Sequence, residues 1–212
     1  MASHQPNGNV NPPLALLVPG LGNSGPTHWQ TLWETQRGDC QRVELGMWDK
    51  PHRNTWVNQM NLAIRAAHGP VVLVAHSLGC IAVAWWAQLE RSAGCGRVTG
   101  ALLVAPPDTD FFPLDDRLLA FAPTPATPLP FPSILVASRN DPWLGFHAAR
   151  RLARVWGSRF ADAGEAGHIN ADSGLGAWHE GQQLLDLLLQ ADGNPALSAR
   201  SEAARHHREA RS

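Results

Sequence analysis

The sequence predicts an α/β fold: one domain built on a doubly wound, mostly parallel six-stranded sheet with helices on both faces. Three observations carry this reading. Short apolar runs of four to seven residues alternate with longer amphipathic or mixed segments along most of the chain, the pattern of repeated βαβ units. Several of the runs are nearly continuous Leu and Val, which suits strands buried on both faces of a parallel sheet. A chain of 212 residues, 44% hydrophobic, is long enough for a substantial core and is most simply one domain.

In chain order, the predicted strands are Leu14 to Val18, Arg42 to Leu45, Val71 to Ala75, Thr99 to Ala105, Ser133 to Ser138 and Ser158 to Asp162. Helices fit between and after them at Thr27 to Gln36, Thr55 to Ala67, Cys80 to Glu90, Gly145 to Trp156 and Leu175 to Gln190. Right-handed crossovers then gather the functional loops at the carboxyl ends of the strands. The interval from Pro106 to Pro132 breaks the alternation: eight prolines in 27 residues forbid a long regular helix and stiffen a covering loop too short for a separate domain. Residues 1–12 read as a flexible N-terminus, 13–191 as the domain, and 192–212 as a disordered basic tail with no large apolar groups.

Composition excludes several classes of function. A net charge of −1 offers no footprint for nucleic acid or an anionic membrane. No run reaches the roughly 18 apolar residues needed to span a bilayer, and MASHQPNGNVNPP lacks the n- and h-regions of a signal peptide. Three cysteines, Cys40, Cys80 and Cys95, are odd in number and lack metal-ligand spacing. A reducing cytoplasm therefore fits better than a disulfide framework.

The most informative stretch is VVLVAHSLG, Val71 to Gly79. An apolar strand runs directly into a serine flanked by the small residues Ala75 and Gly79, as in a G-x-S-x-G nucleophile elbow with alanine at its first glycine. A serine hydroxyl is a weak nucleophile at neutral pH and needs an imidazole to take its proton and a carboxylate to orient that imidazole. Asp141 follows the strand SILVAS, and His168 follows the next helix and strand. The 27-residue interval between them holds one crossover, so both side chains belong to neighbouring loops. The order Ser77, Asp141, His168 is that of the α/β-hydrolase triad.

Rivals exist for each role. His76 adjoins Ser77 but points away along an extended segment. His179 falls within the last predicted helix, and Asp108, just past the strand ALLVA, is an alternative orienting acid. Acyl transfer also requires amides for the oxyanion. The N–H of Leu78 is one, and the loop Pro19 to Asn23 supplies the other, with Leu21 preferred and Gly22 next. The stretch Gly20-Leu21-Gly22-Asn23-Ser24-Gly25 also matches G-x-G-x-x-G, with Glu44 placed as its acidic residue. Pro26 disfavours that nucleotide reading because it falls where the fingerprint's helix must begin.

LLVPGLGNSGPTHW, VLVAHSLGC, SRNDPW and GHINADSGLGAW, in this order between Leu14 and Leu189, resemble the retinoblastoma-binding protein nine-like (YdeN-like) serine hydrolases, a compact α/β-hydrolase family. The resemblance implies an α/β-hydrolase fold without a cap domain, with Ser77 as nucleophile, Asp141 as orienting acid and His168 as general base. It also implies hydrolysis of small ester or amide bonds. The family's name derives from a partner linked to an L-x-C-x-E motif. The nearest string here, Leu78-Gly79-Cys80-Ile81-Ala82, ends in alanine, so that partner does not transfer.

The expected reaction is a small-molecule carboxylesterase cycle through an acyl-enzyme, with no metal or organic cofactor. Activity should rise with pH through the histidine range, since the base must be neutral. Among nine tryptophans, Trp29, Trp48 and Trp143 lie near the functional loops and are candidate substrate contacts. Two other functions use the same features: acyl transfer to an alcohol or amine, and noncatalytic protein binding through the tail or proline-rich loop.

Overall fold

The computed structural model describes residues 12–90 and 95–191. Its centre is one sheet of six strands: β1 (Leu14–Val18), β2 (Cys40–Arg42), β3 (Val71–His76), β4 (Val98–Val104), β5 (Ser133–Ala137) and β6 (Arg159–Asp162). They lie in the order β2-β1-β3-β4-β5-β6, with every neighbouring pair parallel. The chain starts at β1, steps outward to β2, then crosses back to β3 and proceeds to the opposite edge. The reversal between β1 and β3 is the point at which loops of an open α/β sheet diverge and leave a crevice. The residue after β3 is Ser77.

The alternation of side chains along each strand divides the interior into two layers. In β3, Val71, Leu73 and Ala75 join one apolar core while Val72 and Val74 join the other; β1 divides Leu16 and Val18 from Ala15 and Leu17 in the same way. The first core is covered by α2 (Arg53–Ala66), α3 (Leu78–Leu89) and α4 (Phe146–Trp156). The second is covered by α1 (Trp29–Gln36) and α5 (His179–Ala191). No helix among the described residues is long and apolar enough to cross a membrane.

Two elements differ from the sequence expectation by three residues or more at one end. The second strand is Cys40–Arg42 rather than Arg42 to Leu45. Val43 and Leu45 are buried, and Val43 still donates its amide to the Leu17 carbonyl at 2.9 Å, but the ladder ends there and Leu45 serves the core from a loop. The last helix begins at His179, not Leu175. Gly174 and Gly176 both take positive φ, 65° and 55°, a conformation that ends helical winding and here places a 3₁₀ turn, Ala171–Ser173, and two loop reversals before α5.

The proline-rich connection from β4 to β5 carries a single 3₁₀ turn, Asp116–Phe121, and forms no cap domain. Leu118 and Phe121 of this turn are buried in the first core. The expectations for the N-terminus, Pro12 apart, and for the tail from 192 lie outside the described residues.

Candidate active site

β3 is wholly buried and stops at Ser77, whose backbone sits at φ 52° and ψ −126°. This conformation is rare for any residue with a Cβ and persists only where packing on both sides enforces it. That packing depends on two glycines. A Cβ on Gly79 would collide with the carbonyl oxygen of Val18 and lie 2.6 Å from that of Pro19. A Cβ on Gly20 would lie 2.8 Å from the Cβ of Ser77 and 3.3 Å from the nitrogen of Leu78. The loop after β1 therefore rests directly against the elbow. Ala75, the alanine in place of the first motif glycine, pairs with Val18 and Leu103 inside the sheet and is fully buried.

Ser77 Oγ is 2.9 Å from His168 Nε2. His168 Nδ1 is 3.0 Å from both carboxylate oxygens of Asp141. The acidic partner fixes the proton on Nδ1 and leaves the Nε2 lone pair to accept from the serine hydroxyl. The His168 and Asp141 side chains are only 8% and 3% exposed, so water competes little for these bonds. Asp141 also accepts the backbone N–H of Trp143 at 2.9 Å, which fixes the carboxylate in its own loop.

The loop carrying His168 is anchored from three directions. Asn140 Oδ1 accepts from the Gly167 amide at 2.7 Å, and Ser138 Oγ accepts from the Ala166 amide at 2.9 Å. His76 Nε2 donates to the carbonyl of His168 at 2.9 Å. Trp29 Nε1 donates to the carbonyl of Ile169 at 2.8 Å. Ile169 is β-branched yet sits at φ 49°, a costly conformation that the Trp29 and His76 bonds help to retain.

His28, beside these groups, caps α1 by accepting the Gln30 amide on Nδ1 at 3.1 Å. Burial, then the charge of Arg42 and the neighbouring His168, lower its pKa to about 4. Burial also drives His76 well below the ordinary histidine range, with His28 and His168 adding to the effect. Both are therefore neutral structural imidazoles at pH 7. Sequence reasoning turned His76 away from Ser77 and missed its bond to the His168 backbone, which depends on a contact 92 positions away.

Around the expected oxyanion position, Gly22 donates its amide to the carbonyl of Trp48 at 3.2 Å, and Asn23 donates to Gly20 at 3.2 Å. These bonds occupy the fallback donor, Gly22. Leu21 belongs to the loop whose Gly20 abuts the Leu78 nitrogen. The glycine stretch leads through further turns, and α1 begins only at Trp29, so the dinucleotide fingerprint has no helix at its glycines.

Asp108, the rival acid, spends its carboxylate on the amides of Asp110, Phe111 and Phe112. His179 is exposed at the start of α5. The three tryptophans separate by environment. Trp29 is 1% exposed with its indole N–H bonded, so no face is left for a ligand, contrary to the sequence expectation. Trp48 is half-buried edge-on to Trp56, with ring centroids 5.8 Å apart. Trp143 stacks on the His168 ring at 5.1 Å and 25°.

The model of the family described as "Serine hydrolase" matches residues 15–187. A YdeN-like hydrolase structure from Pectobacterium atrosepticum is similar at 35% identity and a TM-score of 0.74, covering 84% of this chain and 91% of that one. The ydeN gene product of B. subtilis is similar at 19% identity and a TM-score of 0.68, covering 85% and 100%. The type II thioesterase BorB of the borrelidin biosynthetic cluster shares the fold at 18% identity and a TM-score of 0.57, covering 84% and 93%. A comparison with proteins of curated function gives no match.

Proposed function

This chain belongs to the serine hydrolase family, and we propose that it cleaves small ester or amide substrates through an acyl-enzyme on Ser77. The observation that carries the proposal is the position of His168, within hydrogen-bond distance of Ser77 on one nitrogen and of Asp141 on the other. His168 takes the Ser77 proton as Oγ attacks the carbonyl, and Asp141 stabilises the resulting imidazolium. The amides of Leu78 and Leu21 hold the oxyanion. His168 then gives its proton to the leaving group and removes one from the water that releases the acid. This cycle calls for no metal or organic cofactor.

The bonds at His76 and Trp29 make these two residues positioning groups for the base. The absence of a cap over the β4 to β5 connection supports access by small soluble molecules. A reducing, cytoplasmic setting is supported by Cys40 and Cys80, both free and buried; burial and the adjacent Asp39 push the Cys40 thiol up to about 12.

The test is mass spectrometry after exposure to a fluorophosphonate probe, beside Ser77→Ala. Labelling confined to Ser77, absent in the variant, is the expected result. A folded protein that stays unlabelled would overturn the mechanism.

A further inference from the structure

Next to the base, on the far side of Trp143, lies a cavity of about 650 Å³. Its walls are the turn after β4 and one face of α4, and its apolar lining includes Phe111, Phe112, Trp143, Leu144, Leu152 and Val155. Phe111 and Phe112 are 80% and 84% exposed, an unfavourable placement for two adjacent phenyl rings. They are held there by construction. The Asp108 carboxylate accepts from the amides of Asp110, Phe111 and Phe112 at 2.9, 3.0 and 3.2 Å. Asp110 in turn accepts the Thr124 amide at 2.9 Å, and the Thr109 and Thr124 hydroxyls bond at 2.7 Å. The two acids at this wall are thus committed to shaping the turn, which leaves its rings facing the opening.

The cavity borders the candidate active site at Trp143. Trp143 lines it and also stacks on His168, and the Asp108 amide donates to the Trp143 carbonyl at 2.8 Å, joining the two walls. The 2.9 Å Ser77 to His168 bond and the 5.1 Å His168 to Trp143 stacking distance leave one imidazole between the reacting oxygen and the indole that lines the cavity. An extended hydrocarbon advances about 1.25 Å per bond, so acetyl or butyryl groups on Ser77 stop short of it. A linear chain of roughly eight carbons enters, whereas an aromatic ring attached directly to the carbonyl is halted at the indole.

We propose that this cavity is the acyl-chain subsite of the enzyme, and that it selects unbranched medium-chain acyl groups. The inference rests on the hydrolase reading above and narrows its substrate class.

The experiment measures kcat/KM for p-nitrophenyl acetate, butyrate, octanoate and benzoate with the full chain, and with Ala148→Trp, which fills the cavity from α4, and Phe112→Ser, which removes a wall. Partial burial of each added methylene gives about a 2.5-fold gain, so octanoate is expected to exceed butyrate by roughly 40-fold and benzoate by more. In either variant the octanoate to butyrate ratio falls to within about threefold of one. Equal rates for octanoate and butyrate in the wild type, a preference for benzoate, or an unchanged ratio in a folded variant would each overturn the subsite. Fluorophosphonate labelling of wild-type Ser77 separates these outcomes from failure of the hydrolase reading, in which the serine stays unlabelled and no ester is turned over.

Discussion

Replacing Trp29 by phenylalanine removes one indole N–H and little else from the shape of the ring cluster. The carbonyl of Ile169, at a residue that is 0% exposed, then loses its donor at 2.8 Å. A buried carbonyl left without a partner costs about 1–3 kcal/mol, and the smaller ring adds about 1 kcal/mol of lost packing. A loss of about 3 kcal/mol in a domain of this size lowers Tm by roughly 6–12 °C. With the tie gone, Ile169 is free to leave φ 49°, and His168 shifts with it. Displacement of a reacting group by about 1 Å costs on the order of 100-fold in rate.

The assay pairs thermal unfolding with the rate of fluorophosphonate labelling at Ser77. Trp33→Phe is the control: Trp33 Nε1 donates to the carbonyl of Ala177 at 2.7 Å, and its ring stacks on Trp178, so the substitution removes a comparable bond away from His168. The Ala177 carbonyl keeps Gln182 Nε2 as a donor at 2.8 Å, so the control is expected to lose less stability while labelling within about threefold of wild type. Equal slowing in both variants, or a destabilised Trp29→Phe that labels at the wild-type rate, would refute a positioning role for Trp29.

Two further outcomes follow from the site. Asp141→Asn is expected to slow Ser77 labelling by about 10³–10⁴-fold, whereas Asp108→Asn, which loosens only the Phe111 turn, leaves labelling within a few-fold; the reverse pattern would make Asp108 the orienting acid. Stability is expected to fall on acidification. His28 has a folded pKa of about 4 against 6.5 in the unfolded chain, so the unfolded state binds the extra proton between these values and stability rises with pH across that window. The depression corresponds to about 3 kcal/mol, present above pH 6.5 and lost toward pH 4, with His76 acting in the same direction. Urea midpoints at pH 7 and pH 5 check this, and His28→Gln should flatten the difference.

The sheet and the three residues at its carboxyl edge were legible because each leaves a local mark. Val71 to Gly79 combines a continuous apolar run with small residues around a serine, and the loops bearing Asp141 and His168 follow their own strands. Chain order then brings the three together, since parallel strands return every such loop to one edge. Trp29 was placed in the right neighbourhood but given the wrong partner, because a sequence does not distinguish an indole facing substrate from one facing a carbonyl 140 residues away.

His76 posed the same difficulty. Alternation correctly turned its side chain away from Ser77, but only the fold brings the His168 carbonyl to meet it. The β2 boundary failed because Val43 and Leu45 are as apolar as strand residues, while the strand itself is carried by the polar stretch Cys40–Arg42. The Phe111 turn escaped notice because its prolines and aspartates read as generic loop, and only the bonds of Asp108 reveal which rings it displays.

The contacts that hold His168 have a consequence for synthesis. The imidazole meets a serine 91 positions earlier, and its loop is tied to an indole 140 positions earlier. While the ribosome is still making the second half of the domain, the elbow and the first helix exist without their partner. The nascent protein therefore carries the Ser77 hydroxyl without its imidazole over the 91 positions between them, and their contact forms in one late step when the segment around His168 emerges and docks.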